Sequence, residues 1–202
     1  MLEGETLLPE PQQARSRRTR EAVLQAALRS FEAHGYEATT VDEIARLAEI
    51  AVGGFYLHFR SKRQALLVLM DRLIGELATL GASQGVTLGT RSARTAVEML
   101  VRVALRVDMK YFGALRAWQE AILRDDELAR LQTQIEAWTT ARVVAMLGAL
   151  AKAPNFRRDV DPATLARVLN ALFWRLTEMR AGADEAVIRS TIGVVTHSVL
   201  SD

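Results

Sequence analysis

The sequence predicts an all-α protein of about nine helices, in which a small N-terminal domain of three helices precedes a larger helical domain. Apolar residues recur at helical spacing along most of the chain, and capping residues stand where helices would begin. No segment shows the two-residue alternation of a half-buried strand. With 50% hydrophobic residues in a length of 202, the chain can bury a sizeable core.

The N-terminal domain is predicted over residues 15–62, after a tail over 1–14 that we expect to be disordered. Its first helix is predicted over 16–34, where apolar residues fall on one face. The second helix is predicted over 40–49 and a short third helix over 52–59. Two short helices behind a longer supporting helix are the arrangement of a helix-turn-helix.

Capping residues support these boundaries. Gly35 suits the left-handed position that follows a helix end. Thr40 and Glu43 form a capping box, in which Glu43 would reach back to the amide of Thr40. Ser61 and Gln64 form a second capping box, which opens a fourth helix.

Residues 63–202 are predicted to form a ligand-binding and dimerisation domain of longer helices. A Gly- and Ser-rich stretch over 81–92 would separate the two functional parts. Asp161 followed by Pro162 is a strong helix start. The helices predicted after the third cover about 61–80, 92–110, 111–124, 125–152, 161–181 and 184–200.

Composition and motifs exclude several function classes. Cysteine is absent and His34 and His197 are isolated, so neither a disulfide framework nor a metal site is predicted. There is no nucleophile–base pair and no Gly-rich phosphate loop, so we predict no cofactor and no enzyme activity. The acidic run 125–127 is interpreted as a helix start. The absence of a long apolar stretch and of a basic signal peptide predicts a cytoplasmic protein without a membrane partner.

The net charge of +2 says less than its distribution. Four arginines cluster near the start of the first predicted helix: Arg15, Arg17, Arg18 and Arg20. This cluster could contact DNA phosphates, with Arg17 and Arg18 as candidates. A solvated helix start explains the same residues, and charge alone does not decide between the two.

Residues 39–62 have the chemistry of a DNA-binding segment. Thr39 and Thr40 precede a helix whose free amides attract a phosphate. Lys62 lies in the first turn of a helix, where the dipole disfavours cations, so an external anion would explain it. The pair Gly53-Gly54 lowers helix propensity by about 1 kcal/mol per residue, which close approach of the backbone to DNA would justify.

The aromatic residues of this segment have two interpretations. Tyr56 and His58 could bind phosphates, although packing or simple exposure to water is the alternative for each. Phe55 and Phe59 lie one turn apart and are expected in the core.

The stretch TTVDEIARLAEIAVGGFYLHFRSKRQAL, residues 39–66, resembles the signature TTV-x-x-IA-x-x-AGVS-x-G-x-FY-x-HF-x-SK-x-x-L of the TetR family of bacterial regulators. The similarity is strong over about residues 16–67. It implies a homodimeric repressor that leaves DNA when a ligand binds the C-terminal part. By position it implies phosphate contacts from Thr39, Thr40, Tyr56, His58 and Lys62, and base-edge reading at Val52, Gly53 and Gly54.

Some positions differ from what the family usually has. Glu49 replaces the usual turn glycine, Ala51 replaces a serine cap, and Val52 stands where a polar residue often reaches DNA. We therefore predict few hydrogen bonds to bases, apolar contacts with thymine methyl groups, and a larger share for phosphate contacts and DNA shape.

Aromatic and methionine side chains of the second part could line an apolar ligand cavity. The candidates are Met99, Tyr111, Phe112, Leu115, Trp118, Trp138, Met146, Phe173 and Trp174. For any one of them, ordinary core packing is the simpler explanation. Arg106, Glu120 or Arg142 could orient a ligand among them.

The last two predicted helices carry apolar stripes that suit a dimer interface. The first stripe is Leu165, Val168, Leu172, Leu176 and Met179, and the second is Val187, Thr191, Val195 and Val199. Pairing with a second copy would bury both stripes in a four-helix bundle. Burial against the chain's own core is the alternative.

Together these features predict a ligand-responsive repressor that binds a palindromic operator as a homodimer and is released by a small hydrophobic ligand. An activator, or a regulator that senses no ligand, would carry the same DNA-binding segment. A helical carrier or enzyme is the alternative from another class.

Overall fold

The computed structural model describes residues 12–82, 93–179 and 184–201. Within these ranges the chain forms nine helices and no strand, which confirms the predicted all-α class. The helices are α1 Ala14–Ala38, α2 Val41–Leu47, α3 Val52–Tyr56, α4 Lys62–Ala82, α5 Ala93–Lys110, α6 Phe112–Ala121, α7 Asp126–Leu150, α8 Pro162–Glu178 and α9 Glu185–Val199.

Several boundaries differ from the predictions. Helix α1 begins at Ala14, inside the predicted tail, and reaches Ala38 across a kink at Gly35. Helix α3 stops at Tyr56, three residues early, because the backbone turns at Leu57. The tail up to residue 11 and most of the predicted boundary segment, residues 83–92, lie outside the described residues.

The chain divides into two compact units that differ from the predicted division at residue 62. The first unit comprises residues up to Ile74 together with Tyr111–Leu131, so it includes α6. Helix α6 packs on α1 at very close range, because a Cβ atom on Gly113 would lie 2.1 Å from the carbonyl oxygen of Leu28. Only a glycine permits this approach of the two backbones.

The core of the first unit is built from aromatic side chains. Phe31, Phe55, Phe59 and Trp118 are all fully buried, as predicted for the phenylalanines of the DNA-binding segment. Burying each such side chain contributes about 1.5–3 kcal/mol. The guanidinium group of Arg20 lies 4.5 Å from the ring centre of Phe59. These contacts fix the short helix α3, which has too few residues to be stable alone.

The second unit comprises Gly75–Lys110 and Gln132–Asp202. Its apolar core is supplied chiefly by α5, α8 and α9. The caps predicted for two of these helices are confirmed: Asp161 accepts a hydrogen bond from Thr164 N at 2.8 Å, and Asp184 accepts one from Ala186 N at 2.8 Å. Among the described residues, no helix is long and apolar enough to cross a membrane.

Candidate nucleic-acid interface and the other predicted sites

Helix α2 begins at a cap formed by Thr40. The Thr40 hydroxyl accepts a hydrogen bond from Glu43 N at 3.2 Å, which confirms half of the predicted capping box. The other half is wrong, because the carboxylate of Glu43 binds helix α1 instead. It accepts from Ser30 Oγ at 3.0 Å and lies 3.1 Å from His34 Nε2. His34 is therefore a partner of Glu43 rather than an isolated residue.

The turn between α2 and α3 carries local strain. Glu49 has φ 57°, the left-handed conformation that favours glycine and costs other residues about 1–2 kcal/mol. Ala51 is the N-cap of α3 and makes no side-chain capping bond. Glu49 thus stands where the backbone favours the glycine of the family signature. Ala51 stands where the serine of that signature would cap α3.

Four of the predicted DNA-contacting positions in the helix-turn-helix are exposed and uncharged. Thr40, Val52, Gly53 and Tyr56 are exposed, and we call them the reading surface. Tyr56 is 53% exposed, and its ring packs edge-on against buried Phe55 at 5.5 Å between ring centres. The surface therefore offers two hydroxyl groups, one apolar side chain and open backbone to a partner.

The glycine pair of α3 has no packing role that requires glycine at Gly53. A Cβ atom at Gly53 would meet nothing within 4 Å, and one at Gly54 would make ordinary contact with Ile50 at 3.5 Å. The chain's own fold therefore gives no reason for the low helix propensity of Gly53. Close approach of DNA to this backbone stays a prediction.

Two predicted phosphate contacts face inward. Thr39 is 1% exposed, and its hydroxyl donates to the carbonyl oxygen of Gly35 at 2.7 Å. The His58 side chain is 6% exposed, and burial lowers its pKa, with a further lowering by Arg20. A buried neutral imidazole is a poor phosphate ligand, so we replace both predicted contacts by structural roles.

Lys62 also has partners within the chain. Its ammonium group donates to the carbonyl oxygens of Tyr36, Glu37 and Thr39 at 2.7, 3.1 and 2.8 Å. These three bonds use all the ammonium protons. The idea that Lys62 needs an external anion is therefore corrected. These three carbonyl groups compensate for its unfavourable place at the start of α4.

The arginine cluster divides in the structure. Arg17 and Arg18 are exposed, and Arg17 donates to the carbonyl oxygen of Gln12. Arg20 is buried and donates to the His58 carbonyl oxygen at 2.8 Å, so it supports the fold instead of an external arm. Arg60, which the sequence interpretation did not single out, is exposed just after α3.

Comparisons with known proteins find a family match over the same segment. A family profile described as "Bacterial regulatory proteins, tetR family" matches residues 23–68, which contain α2, α3 and the start of α4. This part of the chain is therefore similar to the DNA-binding segment of the TetR family of transcriptional regulators.

Similarity to known transcriptional regulators extends unequally along the chain. The transcriptional regulator YerO of Bacillus subtilis (strain 168) is 41% identical over 56 residues, which are 28% of this chain but only 19% of YerO. The regulator BetI of Rhizobium meliloti (strain 1021) is 28% identical over 159 residues, 77% of this chain and 76% of BetI. The crystal structure of regulatory protein TetR from Rhodobacter sphaeroides shares the fold, with TM-score 0.70 at 18% identity, and the match covers 90% of this chain and 99% of that one.

The nine ligand candidates fall into both compact units. Tyr111, Phe112, Leu115 and Trp118 are buried within the first unit. The remaining candidates are partly buried within the second unit: Met99, Trp138, Met146, Phe173 and Trp174. Their role in binding a ligand stays a prediction.

The three polar groups suggested for orienting a ligand differ in their surroundings. Glu120 accepts from the amide of Tyr36 at 2.7 Å, and Arg106 is exposed. Arg142 packs over Trp138 at 4.9 Å and donates to the carbonyl oxygen of Ala78 at 2.6 Å. Glu120 therefore has a structural role, while a ligand role for Arg106 or Arg142 stays a prediction. Asp108, which carries a partly buried carboxylate on α5, was missed because nothing around it in the sequence marks it.

The dimer candidates divide into core and surface. Leu165, Leu176, Val195 and Val199 are buried in the core of the second unit, and Thr191 is also buried. For the four core residues the alternative, burial against the chain's own core, is correct.

The other dimer candidates reach the surface of α8 and α9. Val168 and Met179 are 59% and 64% exposed, while Leu172 and Val187 are partly buried. Val194, which the sequence interpretation omitted, is also exposed. An apolar groove of about 350 Å³ runs along this surface and is lined by Leu172, Leu176, Ala186, Val187, Ser190, Thr191 and Val194.

Proposed function

We propose that this protein is a TetR-family regulator and a homodimeric repressor that binds a palindromic operator and is released by a small hydrophobic ligand. The observation that carries the proposal is the reading surface, in which Thr40, Val52, Gly53 and Tyr56 are exposed on two short helices with buried aromatic anchors. Such a surface is narrow enough to enter a major groove, and its hydroxyl groups suit phosphates at the rim. Access to chromosomal DNA implies a cytoplasmic location.

The proposed mode of binding depends mainly on the DNA backbone. The described side chains of α3 bring Val52 and Tyr56 to the surface, so base hydrogen bonds would be few. Apolar contact between Val52 and a thymine methyl group would supply part of the sequence preference. The exposed cations Arg17, Arg18 and Arg60 would add contacts with phosphates.

The exposed apolar groove on α8 and α9 supports the homodimer. Val168, Met179 and Val194 are large apolar side chains that water does not favour, and a two-fold axis would bury them against their copies. A dimer places two recognition helices about 34–36 Å apart, one DNA turn, and so favours a palindrome. Replacing Val168 and Val194 together by Glu should convert the dimer to monomers in sedimentation experiments.

Release by a ligand requires two states of the dimer that differ in the distance between the two recognition helices. A ligand moves that equilibrium only by the difference between its affinities for the two states. The partly buried aromatic and methionine side chains of the second unit would supply an apolar site, and the buried core of that unit excludes water from much of it.

Selection from genomic fragments tests the proposal. Immobilised protein at about 100 mM salt should enrich fragments that contain a palindrome, and a hydrophobic compound that raises the unfolding temperature should release them. No enrichment would contradict the regulator that we propose. Enrichment without release by any stabilising compound would favour the second candidate, a regulator that senses no ligand.

A further inference from the structure

The turn that follows the kink in α1, Gly35–Glu37, is held by two charged side chains. The Glu120 carboxylate accepts hydrogen bonds from the amides of Tyr36 and Glu37, at 2.7 and 3.5 Å from Oε2. The Lys62 ammonium takes the carbonyl oxygens of the same turn. Burial lowers the pKa of Lys62, while the negative charges of Glu37 and Glu120 raise it in part. The backbone amides of this short turn thus bind a carboxylate, and its carbonyl oxygens bind an ammonium group.

A second feature of the turn is shaped around the same carboxylate. Gly35 has φ 76°, a conformation that side chains disfavour. A Cβ atom at this position would also lie 2.2 Å from Glu120 Oε1, well inside van der Waals contact. The glycine therefore provides both the bend of the chain and the space that Glu120 occupies.

Glu120 is remote in sequence from the segment that it holds. It lies on α6, on the face that also carries Gly113 and Arg116. Gly113 approaches the backbone of α1, and Arg116 donates to the carbonyl oxygen of Glu32. Helix α6 is thus bound to the end of α1 over two turns, and Glu120 is the last of these contacts before α2.

The turn sets where α2 begins. Thr39 follows it and is fixed by hydrogen bonds to Gly35 and Ser30, and Thr40 then caps α2 with its side chain exposed. We propose that Glu120 is a positioning residue for DNA binding, which acts through the Gly35–Glu37 turn to place the exposed Thr40 side chain against DNA. This role lies outside the segment that matches the family profile. It rests on the proposed DNA binding and does not depend on ligand release.

Whether the loss of Glu120 weakens or strengthens DNA binding distinguishes a positioning role from a simple effect of its charge. Removing a negative charge from a DNA-binding protein strengthens binding if only the long-range field matters. We expect the opposite: Glu120→Ala should weaken binding about tenfold, because the turn loses a charged acceptor for two amides. Glu120→Gln keeps a carbonyl oxygen for Tyr36 N and should stay within about threefold of wild type. Glu136→Ala, which removes an exposed carboxylate on α7, should not weaken binding.

Fluorescence anisotropy at about 100 mM salt should measure these affinities on a random-sequence duplex and on a duplex enriched by the wild-type protein. Leu169→Ala, a cavity variant in the core of the second unit, controls for lost stability. It should lower the unfolding temperature and leave the affinity of the folded protein unchanged.

A double-mutant cycle adds an independent readout. Gly35→Ala alone should weaken DNA binding, because its methyl group displaces the Glu120 carboxylate and is strained at φ 76°. Adding Glu120→Ala to this variant should cause little further loss, since the contact between the turn and Glu120 is already broken. A Glu120→Ala protein that binds as tightly as wild type or tighter, an equal loss in Leu169→Ala, or fully additive losses in the cycle would each overturn the proposal.

Discussion

The Lys62 Nζ atom lies 2.8 Å from the carbonyl oxygen of Thr39, the residue directly before the cap of α2. Lys62 is the first residue of α4, so this contact joins the start of one helix to the start of another. Its ammonium group also lies 4.6 Å from the ring centre of Tyr36. The lysine of the family signature thus organises the DNA-binding segment from within.

Replacing Lys62 should therefore destabilise the fold. Lys62→Met keeps the apolar stem but leaves three carbonyl groups without their charged donor, and we expect a loss of about 1.5–3 kcal/mol in the free energy of unfolding. Urea denaturation measures it. Lys152→Met removes the same charge from an exposed position and should change stability by less than about 0.5 kcal/mol. Equal stabilities of the two variants would show that the carbonyl contacts contribute nothing.

Asp108 makes stability depend on pH. Burial raises the pKa of its carboxyl group to about 6 from the ordinary 3.8, although the hydrogen bond from Thr177 lowers it in part. A raised acid pKa means that the folded state holds the proton more tightly, so this contribution to stability is present below pH 3.8 and is lost as pH rises to about 6. Above that pH the free energy of unfolding is lower by about 3 kcal/mol, since each unit of pKa difference corresponds to about 1.36 kcal/mol.

Asp108→Asn should consequently stabilise the protein. The amide oxygen still accepts from Thr177, but no charge is buried, so the unfolding temperature at about pH 7.5 should rise by several degrees. The gain should shrink at about pH 5, where the ionised form is less populated in the folded state. Glu136→Gln, at an exposed site on α7, is the control and should show no such trend. A stability gain that is the same at both pH values would contradict the assignment to Asp108.

The strained Glu49 offers a simple stabilising change. Glu49→Gly removes the Cβ atom from a residue with φ 57° and should add about 1 kcal/mol to the free energy of unfolding. Glu49→Ala removes the same charge and keeps the Cβ atom, so it separates strain from electrostatics. Calorimetry should rank the glycine variant above both alanine and wild type. A ranking with alanine highest would mean that charge, not backbone conformation, limits stability at this turn.

Tyr56 tests contact with the DNA backbone. Tyr56→Phe removes only a hydroxyl group from an exposed side chain, so folding should be unaffected. We expect DNA affinity to fall about three- to tenfold on all sequences, as for one lost hydrogen bond to a phosphate. Anisotropy on enriched and random duplexes measures it.

Val52 provides the matched comparison. Val52→Thr changes one methyl group for a hydroxyl at an exposed position and should alter which sequence is preferred more than it alters mean affinity. Selection from a random duplex library with each variant would show the difference. If Tyr56→Phe changed the preferred sequence and Val52→Thr weakened all sequences equally, the assigned roles of the two residues would be reversed.

Local sequence signals predicted the helices well. Thr40, Asp161 and Asp184 cap helices as their side chains and neighbours indicate, because a cap depends on residues two or three positions away. The end of α3 was placed too late, since the apolar spacing of Phe55 and Phe59 fits both a helix and a turn followed by a buried anchor.

Side-chain partners from distant segments could not be predicted. Lys62 and Glu120 bind the same turn from positions 26 and 84 residues away from Tyr36, and nothing in the spacing of the sequence encodes either contact. Which of the candidate dimer residues are buried and which are exposed likewise depends on tertiary packing. Val195 and Val194 are neighbours in the sequence, but the core covers only the side of α9 that carries Val195.

The central claim is that DNA lies against the backbone of α3, and Gly53 tests it most directly. A side chain at this position meets nothing within 4 Å in the chain itself, so Gly53→Leu should fold normally and gain about 0.5–1 kcal/mol of helix propensity. We predict that it loses more than about tenfold in affinity for the duplex enriched by the wild-type protein, because the new side chain occupies the space of the DNA. A Gly53→Leu protein that binds this duplex as tightly as wild type would contradict the claim.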